Sequence, residues 1–83
     1  MLDEYNLRYI ADDEIIELTQ IETSILSIIL QCKNRIATYE VLCKYVYGKE
    51  MRCNTINKIV FRLREKLKGV LEIKTKRGKG YYI

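Results

Sequence analysis

Histidine and proline are absent from the sequence, and cysteine occurs only three times. Histidine is the commonest general acid–base residue of enzymes and a frequent metal ligand, so its absence disfavours catalysis and metal binding. The sequence also lacks paired carboxylates at a recognisable cleft and a Walker-type phosphate loop. Together these absences predict a protein that is not an enzyme and that holds no metal ion or cofactor.

The cysteines are Cys32, Cys43 and Cys53, and none of them forms a C-x-x-C pair. An odd number of widely spaced cysteines does not match a zinc site, so we predict three reduced thiols. Cys32 and Cys43 fall on apolar faces and are expected to fill the core. Cys53 stands in a predicted loop among basic residues, where a thiolate forms more easily, and a redox-sensor role for it stays open as the alternative.

Long apolar runs are absent as well. The most apolar stretch, Ile21 to Leu30, contains polar residues and is too short to cross a bilayer, which takes about 20 apolar residues. The acidic start, Met1 to Glu4, lacks the basic and then apolar segments of a secretory signal. We therefore predict a soluble, cytoplasmic protein without a membrane partner.

What the chain does contain is an uneven distribution of charge. Its 83 residues are enough for one domain with a modest core, and the formal net charge is +4. Residues 1–30 carry seven acids and one base, whereas residues 31–83 carry 14 bases and four acids. A basic region of this strength favours an anionic partner, either nucleic acid or a membrane surface, although a simply solvated surface explains the charge equally well.

Apolar periodicity predicts two hairpins around three helices. Alternation predicts strands from Tyr5 to Ile10 and from Ile15 to Leu18, and a T-x-x-E capping box at Thr19 begins a first helix that extends to about Cys32. A short extended piece follows at Ile36-Ala37. The remaining predicted elements are a second helix over Tyr39 to Tyr47 with Thr38 as its cap and Gly48 at its end, a loop over Lys49 to Cys53, a third helix over Thr55 to Lys68 between Asn54 and Gly69, and a hairpin of Leu71 to Thr75 with Tyr81 to Ile83.

The third helix has the two faces that a helix-turn-helix requires. An apolar stripe faces the core, and basic residues lie on the opposite side, where they can enter a major groove. Lys58 and Arg62 have the chemistry to donate to guanine, and Asn57 has the chemistry to pair with adenine. The terminal hairpin carries Lys74, Lys76, Arg77 and Lys79 within six residues and would lie beside the helix as a wing.

Four segments resemble the OmpR/PhoB-type winged-helix effector domain of bacterial two-component response regulators. They are ELTQIETSILSIIL, YEVLCKYVYG, NTINKIVFRLREKL and TKRGKGYYI, and the last is the most specific, because the family wing reads T-V-R-G-x-G-Y. The resemblance implies an α+β winged helix-turn-helix with a short N-terminal β-hairpin, three helices and a C-terminal β-hairpin wing. It implies one domain over 1–83, divided into an N-terminal sheet (1–18), a three-helix core (19–69) and the wing hairpin (70–83).

The resemblance also implies which residues contact DNA. Arg62 matches an arginine that reads a base, Arg64 matches a structural or phosphate-directed arginine, and Arg77 matches a minor-groove arginine. Phe61 replaces an arginine of the family, so the base preference does not carry over. The full implied set is Thr55, Asn57, Lys58, Phe61, Arg62 and Arg64 on the helix, Thr75, Lys76, Arg77 and Lys79 on the wing, and Tyr81 and Tyr47 at the phosphate backbone.

The implied function is sequence-specific binding of double-stranded DNA in transcriptional regulation. The recognition helix, 55–68, would lie in the major groove, and the wing, 75–81, would lie at the backbone and minor groove. A head-to-tail homodimer on direct repeats and RNA polymerase are the further implied partners. The alternative is a protein-interaction module without DNA binding, favoured by Phe61 on an exposed helix face. Because 83 residues leave no room for a receiver domain as well, we expect the chain to be either an excised effector domain or a stand-alone regulator.

Overall fold

The computed structural model describes residues 1–32, 35–47 and 53–83. Within them the chain forms two small sheets and three helices, and none of these helices is long and apolar enough to cross a membrane. The elements are β1 (Leu2–Asp3), β2 (Arg8–Ala11), β3 (Glu14–Glu17), α1 (Gln20–Gln31), β4 (Ala37–Thr38), α2 (Tyr39–Tyr47), α3 (Cys53–Lys66), β5 (Lys74–Lys76) and β6 (Gly80–Tyr82).

The N-terminal sheet has three antiparallel strands in the order β1-β2-β3, not the two of the predicted hairpin. Leu2 pairs with Tyr9, and Tyr9 pairs with Ile16. The predicted first strand starts too early, because the chain turns before Arg8. Asp3 accepts hydrogen bonds from the backbone N and the side-chain Nδ2 of Asn6, and Leu7 has a φ of 55°. This turn reverses the chain, so that β2 runs back along β1 and β1 becomes the additional strand of the sheet.

The capping box that begins α1 is confirmed. The backbone N of Glu22 donates to Thr19 Oγ1 at 3.2 Å, and the backbone N of Thr19 donates to Glu22 Oε1 at 2.8 Å. The helix ends at Gln31, one residue from the predicted end, and it buries Ile25 and Ile29 completely. Its apolar face therefore packs inward, as the spacing predicts.

The helices α2 and α3 form the helix-turn-helix with α1 behind them. Thr38 Oγ1 accepts from the backbone N of Val41 at 3.2 Å, which confirms Thr38 as the cap of α2. The third helix begins two residues earlier than predicted, so Asn54 lies inside it, and it ends at Lys66 because the chain turns through Gly69, whose φ is 84°. The predicted end of α2 at Gly48 and residues 49–52 of the loop predicted over 49–53 lie outside the described residues, and Cys53, the last residue of that predicted loop, is the first residue of α3.

A second sheet, in the order β4-β6-β5, joins the wing to the helices. Its strands are shorter than the predicted hairpin, because only Lys74–Lys76 pairs with Gly80–Tyr82 and residues 71–73 are not strand. The extended piece predicted at 36–37 becomes β4, where Ala37 pairs with Tyr81. Gly80 lies so close to β4 that an added Cβ would stand 2.1 Å from Ala37 O.

One hydrophobic core lies between the three helices and the second sheet. The predicted apolar stripe of α3 is confirmed, and the predicted burial of Cys43 is confirmed, while Cys32 packs half-buried at the margin. The side chain of Cys53 is outside the described part of the chain. The buried members of the core are Leu18, Ile25, Leu26, Ile29, Ala37, Leu42, Cys43, Ile56, Val60, Leu63, Leu67, Ile73 and Tyr81.

Candidate nucleic-acid interface

The outer face of α3 is exposed and, apart from Phe61, mainly polar. While Ile56, Val60 and Leu63 are fully buried, the side chains on the opposite side of the helix reach solvent. This arrangement follows from the 3.6-residue period, which keeps the apolar stripe on one side. Four of the predicted site residues line one shallow depression of about 280 Å³ on this face: Asn57, Lys58, Phe61 and Arg62.

The tip of the wing is exposed and carries only positive charge. All residues from Lys74 to Lys79 are exposed, and four of these six are lysine or arginine. The hairpin turns back at Gly78, whose φ of 74° is readily adopted by glycine, and the backbone N of Lys79 donates to Lys76 O at 3.0 Å. The short turn holds Arg77 and Lys79 at the end of the hairpin, where they are open to an anionic partner.

Arg64 connects α3 to the wing. Its Nε donates to Ile73 O at 2.8 Å, and its Nη2 donates to the hydroxyl of Thr75. The guanidinium carbon lies 5.4 Å from the centre of the Tyr81 ring, within the range of a cation–π contact. Arg64 is therefore engaged in intramolecular contacts, and it holds Thr75 at the base of the wing.

Tyr81, for which the resemblance implies a phosphate contact, has a buried side chain. Its side chain is only 3% exposed, and its ring meets the edge of Tyr39 at a centroid distance of 5.6 Å. Its hydroxyl donates to Asn57 Oδ1 on the recognition face. The alternation of β6 explains the burial, because Tyr81 points to the helices and Tyr82 points to the opposite side of the sheet.

An ion pair between an exposed lysine and a buried carboxylate supports the other end of α3. Lys66 Nζ lies 2.6 Å from Glu22 Oε1, and the Glu22 side chain is almost fully buried. Burial by itself raises the pKa of the Glu22 carboxyl, but the hydrogen bonds from Lys66 and from the Thr19 backbone outweigh it and hold that pKa below the ordinary value of 4.5. Lys66 is thus used within the fold, in a contact that the sequence analysis did not anticipate.

Four acidic residues are exposed on the N-terminal sheet. Asp12, Asp13 and Glu14 lie at or beside the turn between β2 and β3, and Glu17 lies at the other end of β3. The basic residues of α3 and of the wing belong to other elements, although Glu22 of α1 pairs with Lys66 of α3. An anion is attracted to the basic residues and repelled by the acidic ones.

The structure brings most of the predicted site residues to one side of the molecule. Those of α3 and those of the wing are joined by the contacts of Arg64 and Tyr81. Tyr47 is the exception, since its side chain is outside the described residues. Tyr39, which supports Tyr81 from the start of α2, was not among the predicted residues, because their contact joins positions far apart in the chain. Among the described residues, no group of acidic or cysteine side chains is arranged to hold a metal ion.

Comparison with solved structures identifies the fold. The C-terminal domain of the nisin resistance regulator NsrR, a lantibiotic response regulator, is 30% identical over 93% of this chain and 84% of its own, with a TM-score of 0.80. The DNA-binding domain of CpxR from E. coli is 28% identical over 99% of this chain and 86% of its own, with a TM-score of 0.84. The RstA DNA-binding domain of Klebsiella pneumoniae, solved in complex with the RstA box, has a TM-score of 0.85 at 24% identity over 99% and 87% of the two chains, which supports the fold alone.

Comparison at the level of sequence gives the family. Among curated protein sequences, none matches the chain with significance. The profile of the family described as "Transcriptional regulatory protein, C terminal" matches residues 12–83, which is most of the chain. The predicted α+β winged helix and the predicted resemblance to response-regulator DNA-binding domains are confirmed. The chain therefore belongs to the family of C-terminal domains of transcriptional regulatory proteins, the OmpR/PhoB-type winged-helix DNA-binding domains.

Proposed function

We propose that this chain binds double-stranded DNA sequence-specifically in transcriptional regulation and that it does so through α3 and the wing. One observation carries the proposal. The exposed face of α3 and the tip of the hairpin both bear basic side chains, and Arg64 connects the two elements. In this arrangement α3 lies in the major groove while the wing reaches the backbone and the minor groove.

The proposed DNA-contacting residues fall into two groups. On α3, Arg62 and Lys58 donate to base edges or phosphates, while Phe61 is placed to contact a thymine methyl group. On the wing, Arg77 and Lys79 contact phosphates or the minor groove. Within the proposed set the direct contacts are made by Thr55, Asn57, Lys58, Phe61, Arg62, Lys76, Arg77 and Lys79, whereas Arg64, Thr75 and Tyr81 hold the two elements together; a backbone contact by Tyr47 stays a prediction.

Selection from a random duplex pool at two salt concentrations tests this function. If the surface contacts roughly five phosphates, log K should fall with log salt at a slope of about −4.5. The selected duplexes should share a motif, and the motif length should report whether one or two domains bind. An affinity that stays flat between low and moderate salt would show that this cationic surface does not bind DNA.

The proposal extends to the arrangement of the domain in the cell. The 83 residues work as one domain in the cytoplasm, with the N-terminal sheet (1–18), helical core (19–69) and wing (70–83) as its parts. Two copies bind direct repeats head to tail, an order in which the acidic residues of the N-terminal sheet of one copy can meet the basic surface of the next. Equal affinity for a single half-site and for a repeat would count against this pairing. RNA polymerase stays a further predicted partner.

A second function, a protein-interaction module, is favoured by one observation. Phe61 is 63% exposed, and together with Ile21 and Ile59 it forms the apolar part of a groove of about 780 Å³ between α1 and α3. An exposed aromatic residue on a recognition face is also a common anchor of protein interfaces. Two results together would favour this function over DNA binding. The wild-type protein would cause no DNA mobility shift, and a protein partner that it captures in a pull-down would be lost in Phe61→Ala.

A further inference from the structure

Phe61 is an aromatic side chain that the core does not use. It is 63% exposed, and at about 100° per residue it lies about 130° round α3 from the buried apolar stripe. The other residues that line the shallow depression on this face, Asn57, Lys58 and Arg62, are exposed and polar. Of the four residues that line this depression, Phe61 alone is apolar. The recognition face therefore offers one apolar contact among hydrogen-bond donors.

The edge of a thymine has the groups that match this pair of features. In the major groove thymine presents the C5 methyl group beside the acceptor O4, whereas guanine presents two acceptors and cytosine a donor, both without a methyl group. Phe61 and Lys58 are three residues apart, so their side chains are neighbours on the surface of α3. An aromatic ring next to an ammonium group corresponds to a methyl group next to an acceptor, because the ring packs on the methyl group while the ammonium donates to O4.

We propose that Phe61 reads one pyrimidine by its C5 methyl group, so that binding by this chain responds to methylation of cytosine at that position. Thymine carries the methyl group as an ordinary base, and 5-methylcytosine carries it as a modified base. Cytosine lacks the group and is bound more weakly than 5-methylcytosine. The inference rests on the proposed DNA binding by α3 and adds to it the chemical group that one position of the motif must supply.

Duplexes that differ by a single methyl group test the inference. In the motif selected by the wild-type chain, each thymine is replaced in turn by uracil, which keeps the hydrogen-bonding groups of thymine and lacks only the methyl group. At one position the replacement should weaken binding about fourfold, the effect of one methyl group that is no longer buried. At the same position, 5-methylcytosine should be bound about fourfold more tightly than cytosine.

Two variants assign the effect to the ring of Phe61. Phe61→Ser leaves a polar side chain too short to bring an apolar group to the base, so thymine and uracil should be bound equally at the position where the wild type distinguishes them. Phe61→Leu is the matched control, because it keeps an apolar side chain and should retain a preference for thymine of about twofold or more. Since Phe61 is exposed, neither variant removes a core contact, and circular dichroism verifies that both are folded.

The outcomes separate this inference from the proposed function. A selected motif in which no replacement of thymine by uracil weakens binding would overturn the inference. A preference for thymine that persists unchanged in folded Phe61→Ser would overturn it as well, because another residue would then contact the methyl group. Failure of the wild-type chain to select any duplex would instead contradict the proposed function itself, and the inference with it.

Discussion

Gly80→Ala is expected to separate the wing from the helical body. A Cβ at this position stands 2.1 Å from Ala37 O and 2.7 Å from Thr38 Cα, and both are backbone atoms of β4. The first distance is about 1.3 Å short of an ordinary contact, which begins at 3.4 Å. A backbone cannot move aside by rotating a side chain, so β4 and β6 must part.

The expected loss of stability is about 3 kcal/mol. Overpacking of a closed site costs about 1–3 kcal/mol, and each ladder hydrogen bond lost from the two residue pairs of β4 and β6 adds about 1 kcal/mol. At about 0.05–0.15 kcal/mol per residue, the whole chain is stabilised by roughly 4–12 kcal/mol. The substitution therefore removes a large part of the free energy of unfolding. DNA affinity should fall as well, because the wing hairpin is no longer held against β4.

Urea unfolding followed by circular dichroism measures this loss, and Gly78→Ala is the matched control. Gly78 has a φ of 74° and no atom within 4 Å of an added Cβ, so alanine costs only the conformational strain of about 1–2 kcal/mol. The urea midpoint of Gly80→Ala should fall by about 1–3 M and by more than that of the control. If the control lost as much stability as Gly80→Ala, the close approach of β6 to β4 would not be the reason that glycine is required.

Four other outcomes are expected. The pKa of Glu22 is lower in the folded chain than its ordinary value of 4.5, so the carboxylate contributes stability that is complete above that pH and is lost as the pH falls through the folded value. The free energy of unfolding should therefore depend less steeply on acidic pH in Glu22→Gln than in the wild type. Equal pH profiles of the two proteins would show that the ion pair does not cause the acid dependence. Arg64→Lys should lower stability by about 1–2 kcal/mol, because an ammonium cannot replace the fork that binds Ile73 and Thr75, and calorimetry measures the change. Arg62→Ala should cost about 1–3 kcal/mol of binding free energy and relax the base preference at one position of the motif. Lys79→Ala should instead weaken binding to all duplexes alike and reduce the slope of log K against log salt by about 1. Competition assays with scrambled duplexes measure both effects.

Local signals account for the parts of the fold that the sequence predicted. The capping box of α1 involves residues three apart, and the apolar stripe of α3 repeats every three or four residues, so each is complete within its own segment. In the N-terminal sheet the strand that was not predicted is β1. It has two residues, too few for any alternation, and is defined only by its pairing with β2.

In the candidate site, too, local features were predicted and contacts between distant segments were not. The exposed face of α3 and the cationic tip of the wing follow from periodicity and composition. The burial of Tyr81 could not be predicted, because the sequence shows a tyrosine in an alternating strand without showing which side of that strand faces the helices. Likewise, the pairing of Lys66 with Glu22 joins residues 44 positions apart.

The sequence by itself determined the winged-helix fold, the location of the basic surface and the candidate residues of α3, since these depend on local periodicity and on motifs that the family shares. Only the tertiary structure decided which of those side chains remain available to DNA. Arg64 and Tyr81 turn inward because β6 lies between β4 and β5 and brings the wing against α3. Contacts of this kind arise from the packing of distant segments, and no pattern within one segment contains them.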